Sequence, residues 1–236
     1  MEFEENYMGT TRYSEAQKEK ILKTASKLFI DKGYKGTTTR EIADVARINK
    51  GLLHYYYNRK EDIVSDIYKA FVEGLIGFVE NRYGHELKGL DFFALLNMLF
   101  FKVATSERQY IEILLDVLSN TKLTKYKIDR SMECCLDVLL ENGEQEKRSQ
   151  LLIAITISVG AESQLMLAIE DGSVDMTYRE LAITVLHVCL VMMEIDEAET
   201  EAIIGRALQK ADTIDARAIL DYIGQRCAWA GLPQAM

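Results

Sequence analysis

The sequence predicts an all-α protein: a three-helix module built around a helix-turn-helix, joined by a long helix to a larger helical bundle. Three observations predict it. The single proline, Pro233, lies near the C-terminal end, so nothing upstream forces a helix to break. The chain is rich in Leu, Ile, Ala, Glu and Lys, which suit helices. And helix starts recur as capping boxes, in which a Ser, Thr, Asn or Asp takes a free backbone N–H. A Glu or Gln three residues on then reaches back.

Ser14/Gln17 predicts the first start, followed by Ile21, Leu22, Ala25, Leu28 and Phe29 at helical spacing, with Gly33 as a left-handed stop. Thr38/Glu41 predicts a short second helix carrying Ile42, Ala43 and Ala46. Asn49 caps a third, Lys50 to Tyr57, with Leu53 and Tyr57 turned inward. Asn58/Glu61 opens a long fourth helix with Ile63, Ile67, Phe71, Leu75 and Phe78 on one face. Two short helices three or four residues apart, braced on each side, are a helix-turn-helix.

Further helices are expected at about 91–105, 107–120, 124–141, 144–170, 177–195, 197–210 and 213–229. Boxes at Ser106/Gln109, Asn142/Gln145, Thr177/Glu180 and Asp196/Glu199 support four of them. Leu152 to Val159 is β-branched enough to pass for a strand, but its flanks are helical and so is the reading. The division is expected at residues 12–73, a helix-turn-helix module, and 74–236, a larger helical domain.

With 236 residues, 48% of them hydrophobic, the chain can bury a sizeable core. Its net charge of −9 argues against nucleic acid only until the charges are located. Arg12 to Ala70 carries 13 Lys and Arg against 8 Asp and Glu, a net +5, whereas Phe71 onward is −11. A basic module on an acidic body is the electrostatic footprint of DNA binding.

Cys134, Cys135, Cys189 and Cys227 lack the spacing of a zinc site and read as reduced thiols, so no metal or cofactor is expected. The acidic start, Glu2, Glu4 and Glu5, is unlike a signal peptide, which points to the cytoplasm. The apolar run Leu151 to Ile169 is interrupted by Glu162, Ser163 and Gln164, which suits a buried helix better than a membrane span. His54, His85 and His187 stand apart, and no nucleophile elbow or phosphate loop occurs, so an enzyme is not expected. His187, on an apolar stretch, reads as a hydrogen-bonded core histidine.

The segment from Arg47 to Tyr57 has the chemistry of a recognition helix. Gly51 allows the helix start to come close to a phosphate, and Lys50 shares its turn. Tyr55 and Tyr56 can present hydroxyls to phosphates, and Lys60 stands ready on the next helix. Arg40, Asn49 and Leu52 are the candidates for base readout, Leu52 being either a contact to a thymine methyl or a partly exposed packing residue.

Over about 60 residues the sequence resembles the TetR family of one-component repressors. The resemblance rests on Ala25-Ser26-Lys27-Leu28-Phe29, Gly33-Tyr34, Thr37-Thr38 with Glu41-Ile42-Ala43, Asn49-Lys50-Gly51, Tyr55-Tyr56-Tyr57 and Lys60-Glu61-Asp62-Ile63. Leu52 and His54 depart from the family pattern. The resemblance implies a homodimer that binds a palindromic double-stranded operator and leaves it when a small molecule enters the C-terminal domain. It implies DNA contacts at Thr38, Arg40, Asn49, Lys50, Gly51, Tyr55, Tyr56 and Lys60. It also implies a dimer interface built from helices near 144–170 and 177–195.

For a small, largely apolar effector, Phe93, Phe101, Tyr110, Met132 and Met166 offer an adaptable lining, with Glu162 and Gln164 as polar contacts. Each of the apolar residues, taken singly, reads first as plain core. The alternatives are an all-helical small-molecule-binding protein, or an activator with the same fold.

Overall fold

The computed structural model describes residues 2–118, 120–139 and 145–226. The Asn142/Gln145 box, Cys227 and the predicted helix end at 227–229 lie outside the described residues, as do the side chains of Cys134, Cys135 and His85. The elements are α1 (Glu2–Lys32), α2 (Thr39–Val45), α3 (Lys50–Tyr56), α4 (Lys60–Tyr83), α5 (Gly89–Ala104) and α6 (Arg108–Leu118). They continue with α7 (Thr121–Leu139), α8 (Gln145–Glu170), α9 (Tyr178–Met192), α10 (Glu197–Asp212) and α11 (Ala216–Arg226). A single 3₁₀ turn, Gly84–Glu86, follows α4. Among the described residues there is no strand, so Leu152 to Val159 is helical.

The capping logic holds at four starts. Thr38, Asn49, Thr177 and Asp196 each accept a bond from a backbone N–H three residues on, and Thr177/Glu180 makes both halves of the box. Three expected caps are corrected. Ser14 lies inside α1, which begins at Glu2, and its hydroxyl instead accepts a hydrogen bond from Tyr56. At α4 the reaching-back carboxylate is Asp62, which accepts from the Arg59 N–H, so the start falls one residue beyond Asn58. Ser106 turns backward, donating to the Val103 carbonyl at the end of α5. Asn120 caps α7, starting it earlier than the periodicity predicts.

The chain divides into two compact units, one of residues up to Gly74 together with those from Leu220, the other Leu75–Ile219. In the first, Ile21, Leu22, Ala25 and Phe29 of α1 are buried, as are Ile42 and Ala43 of α2, Leu53 of α3 and Ile63 of α4. Gly33, at φ 77°, ends the helical path of α1 as expected. Thr37 is buried and donates to the Leu28 and Gly33 carbonyls, closing the end of that helix. Tyr57 is buried with its hydroxyl on Asp66, 3.0 Å away, and Asp66 also pairs with Lys18 at 2.7 Å.

In the second unit, α8 packs against α7 and α9, while α5 packs against α7, α9 and α10. Leu151, Ala154, Ile155 and Val159 of α8 share a cluster with Met132, Cys189 and Met193. Arg206 bridges Asp91 and Glu199, and Arg179 grips both oxygens of Asp212. The Lys102 ammonium donates to the Ala211 carbonyl near the end of α10. His187 is hydrogen-bonded as expected, to Glu197 at 3.1 Å, but its side chain is 39% exposed, so it is a surface group and not a core one.

Arg148–Glu170 of α8 is long and apolar enough by composition to cross a membrane. Its inward face packs on α7 and α9, and Glu162 on that face is 1% exposed. Its outward face carries Leu152, Ile153, Ile157 and Leu167, all exposed, beside exposed Val188 and Val191 of α9.

Burial first, and the negative charge of Asp66 second, push the Tyr57 hydroxyl above the ordinary tyrosine range. The folded chain therefore keeps this proton to higher pH than the unfolded chain. The associated stability is complete below the ordinary phenol pKa of about 10 and is lost as pH rises beyond it. Tyr57→Phe is expected to cost about 1 kcal/mol at pH 7 from the lost hydrogen bond. It should also flatten the alkaline decline in stability, measured by urea unfolding at pH 7, 9 and 10.5. An unchanged decline would assign it to other groups.

Candidate nucleic-acid interface

The turn between α2 and α3 spans residues 46–49. It closes with Arg47 in the left-handed region, φ 52°, where its N–H bonds the Asp44 carbonyl and that of Ile48 bonds Ala43. Sequence reading missed this position, because a left-handed stop is ordinarily signalled by glycine or asparagine. The turn delivers Asn49, whose side-chain oxygen accepts from the Leu52 N–H at 2.7 Å. A Cβ on Gly51 would stand 3.3 Å from that same oxygen, so the glycine keeps the cap uncrowded.

Thr38, Arg40, Asn49, Lys50, Gly51 and Tyr55 are exposed, with Tyr55 at 80%. They come from α2, α3 and the residues that cap them. Leu52 is half-buried, and so is Tyr56, whose hydroxyl donates to Ser14 at 3.2 Å while its ring meets Tyr55 edge-on. Val45, 57% exposed on α2, is an apolar surface residue that the sequence reading did not single out.

Lys60, expected at a phosphate, has its ammonium donating to the carbonyls of Tyr34 and Thr37, at 2.6 and 2.8 Å. It also lies 4.0 Å from the centroid of the Tyr34 ring. The charge is engaged in tying the α1–α2 connection to the start of α4, and the Tyr34 hydroxyl strengthens the tie by donating to Glu61 at 3.0 Å. The bond to its own backbone N–H, then Tyr34 and the nearby Lys60 and Arg59, hold the Glu61 carboxyl below the usual range against some desolvation.

The residues expected to meet an effector scatter within the second unit. Phe93 and Glu162 line one enclosed cavity with Asn97, Lys127, Ser158 and Cys189. Phe101 is buried, with the Lys127 ammonium 5.8 Å from its ring. Met132 belongs to the cluster around Leu151, and Met166 is fully buried. Gln164 is exposed on the outward face of α8, and Tyr110 stands half-buried near Glu107 and Arg217, so neither lines that cavity. Ser163 bonds back to the Val159 carbonyl at 3.2 Å.

The cavity measures about 20 Å³, room for a water and little more. Its polar lining differs from the largely apolar pocket expected. Glu162 is bonded through both oxygens to Lys127, and the Lys127 ammonium lies 4.2 Å from the Phe100 ring centroid. Burial pushes the Cys189 thiol up to about 11, opposed slightly by Ser158. Asn97, Lys127 and Ser158 were missed. The available signal was a polar residue breaking an apolar helical face, which the sequence reading applied only to residues 162–164.

Residues 21–67 match the model of a family described as bacterial regulatory proteins, tetR family. Over 62 residues the chain is 36% identical to the HTH-type transcriptional repressor KstR2 of Mycolicibacterium smegmatis, covering 26% of this chain and 30% of that protein. It is 27% identical over 120 residues to the biofilm operon icaADBC HTH-type negative transcriptional regulator IcaR of Staphylococcus epidermidis, covering 49% and 61%. The chain thus spans between about a third and three fifths of the length of these curated relatives. The crystal structure of a TetR family transcriptional regulator, PfmR from Thermus thermophilus, aligns at 16% identity over 79% of this chain and 91% of that one. Its TM-score of 0.36 is too low to support further comparison.

Asn49→Ala is expected to lower the unfolding free energy by about 1 kcal/mol, the usual worth of an N-cap. Asn49→Asp, which keeps the acceptor, should restore most of it. Equal losses in the two variants, by thermal or urea unfolding, would show that the cap is not what holds α3.

Proposed function

We propose, on the premise that residues 21–67 match the model of the tetR family of bacterial regulatory proteins, that the chain is a dimeric, ligand-responsive repressor of transcription. Each protomer lays α3 in the major groove of one half of a palindromic operator, and the protein works in the cytoplasm. The observation that carries this reading is the exposed row Arg40, Asn49, Lys50 and Tyr55 on two helices fixed by caps, within a segment of net charge +5. Lys50 and Tyr55 supply phosphate contacts, with Tyr56 and Thr38 beside them. Arg40, Asn49 and Leu52 face base edges.

The proposed dimer forms through α8 and α9. Ile153, Ile157, Gly160, Gln164 and Leu167 recur on the outward face of α8 at alternating steps of four and three, all exposed. Such a row is the seam that a second helix packs against, and Gly160, with open space where a Cβ would lie, permits close approach. Two recognition helices one turn of B-DNA apart, about 34–36 Å, then match the two-fold symmetry of the site. An effector that binds better at another spacing removes the dimer by its differential affinity. Helix α4, continuous from one unit into the other, is the proposed path of that coupling.

Binding to a genomic fragment library, followed by footprinting, tests the reading. A discrete two-fold footprint lost in Lys50→Ala/Tyr56→Ala supports it; no selective fragment overturns it. Within that assay Lys50→Ala should reduce the slope of log K against log salt by about 1, the signature of one phosphate contact. Lys60→Met should leave the slope unchanged and lower the unfolding midpoint, since its charge is held by carbonyls.

Ile153→Asp/Ile157→Asp alters two side chains already about half exposed, so the fold should survive. Sedimentation equilibrium is expected to give a monomer for this variant and a dimer for the unaltered chain. A dimer in both would move the interface elsewhere.

A further inference from the structure

We propose that the interior of the second unit is a binding site for an organic ammonium ion, with Glu162 as its counter-ion and Lys127 as a tethered stand-in for it. The proposal rests on the reading of the chain as an effector-controlled regulator and names the chemical class of that effector.

Lys127 apart, the polar side chains named around the cavity can accept hydrogen bonds. Asn97 Oδ1 is a buried atom with no hydrogen-bond partner, and Ser158 Oγ has only the Cys189 thiol to bond with. Ser158 is 4% exposed, and its residue lines the same cavity as Asn97, Glu162 and Lys127. Buried polar atoms are rarely left unsatisfied, because each costs about what a hydrogen bond is worth. An unsatisfied amide oxygen and a weakly engaged hydroxyl beside a buried carboxylate describe a place suited to a donor.

Which partner of the ion pair can leave is settled by burial. The Glu162 side chain is 1% exposed, that of Lys127 14%. The carboxylate is short, sits on the inward face of α8 and has no stem long enough to reach water without moving the helix. The ammonium ends a flexible four-carbon stem at the rim of the cavity and can swing to water. An anionic ligand, which needs Glu162 to leave, is therefore disfavoured.

Volume disfavours a neutral one. With Lys127 in place the cavity has about 20 Å³, too little for any organic group. Room appears only where the ammonium withdraws, and then Glu162 is a buried carboxylate without its cation. That position lies 4.2 Å from the centroid of the Phe100 ring, on which a cation is stabilised by the ring quadrupole. The incoming group must therefore be a cation small enough to donate to Glu162, with Asn97 and Ser158 open to its remaining hydrogens.

Exchange also has a structural consequence. Lys127 belongs to α7 and Glu162 to α8, so their bond is a tie between two helices. A free ammonium ion satisfies Glu162 without restoring that tie. Ligand binding thereby becomes release of α7 from α8, a difference between two states that an effector can bias.

The test uses the full chain and n-butylammonium chloride, with sodium chloride, sodium butyrate and n-butanol as controls at matched concentration. Thermal unfolding and calorimetry should register binding of n-butylammonium alone. Lys127→Met removes the competing cation, so affinity should rise, by about tenfold where the stand-in occupies the site nine-tenths of the time. Lys127→Met/Glu162→Gln, whose core is neutral on both sides, should fold and fail to respond. Should Lys127→Met alone not fold, n-butylammonium but not n-butanol should restore its refolding.

The proposal is overturned if n-butanol stabilises as much as n-butylammonium, if the double variant responds like Lys127→Met, or if refolding ignores the ammonium. Operator binding is read separately. A chain that binds its footprint yet ignores ammonium ions loses this assignment and keeps the regulator reading. A chain that takes the ion through Glu162 but selects no DNA does the reverse.

Discussion

Helices of seven residues do not persist alone in water, because the cost of nucleating a turn is recovered only over a longer run. Both α2 and α3 have that length. Everything the first unit presents to solvent therefore depends on bonds made across elements rather than within them. Burial of Ile42 and Leu53 supplies anchoring of about 1.5–3 kcal/mol each, without direction. Direction comes from polar ties: Thr38 and Asn49 at the helix starts, Thr37 on the end of α1, Tyr56 on Ser14, and Lys60 on two carbonyls. The basic surface is held in place by groups that are themselves charged or polar. A residue in such a module can therefore look like a ligand contact and be a brace.

That ambiguity sets what the sequence makes legible. Caps and helical periodicity are local, and Thr38, Asn49, Thr177 and Asp196 stand where local reasoning puts them. The all-helical class and the helix order follow from the same local rules. Local reasoning fails where a side chain has two possible partners at different sequence distances. Ser14 and Ser106 each satisfy a capping pattern, yet one hydroxyl serves Tyr56, 42 residues away, and the other serves the preceding helix end. Lys60 is a brace that local reasoning misses for the same reason. Its carbonyl partners lie 26 and 23 residues upstream, and no spacing rule announces them.

The second unit hides its polar interior for a different physical reason. In α8 the usual arrangement is partly reversed: one charge, Glu162, faces inward among Leu151, Ile155 and Val159, and leucines and isoleucines also face outward. Apolar residues occur all round the helix, so periodicity cannot distinguish the core face from the opposite one. Glu162, Ser163 and Gln164 mark a polar interruption in the sequence. In the structure they separate into a buried ion pair, a bond to the helix's own backbone and a surface amide.

The reversal constrains both faces at once. An outward apolar row raises the free energy of an isolated chain in water, and a partner surface lowers it. An inward charge costs several kcal/mol of desolvation, which a well-packed apolar pair of the same size would avoid. A core selected for stability alone would replace Lys127 and Glu162 with such a pair. Retaining them beside an unsatisfied amide oxygen makes the interior of α8 less stable than it could be, at the place where α7, α8 and α9 meet. A packed interior with no stored imbalance has little to exchange for a ligand. An interior closed by a cation on a flexible stem can exchange that cation for another, at a cost set mainly by the difference between the two.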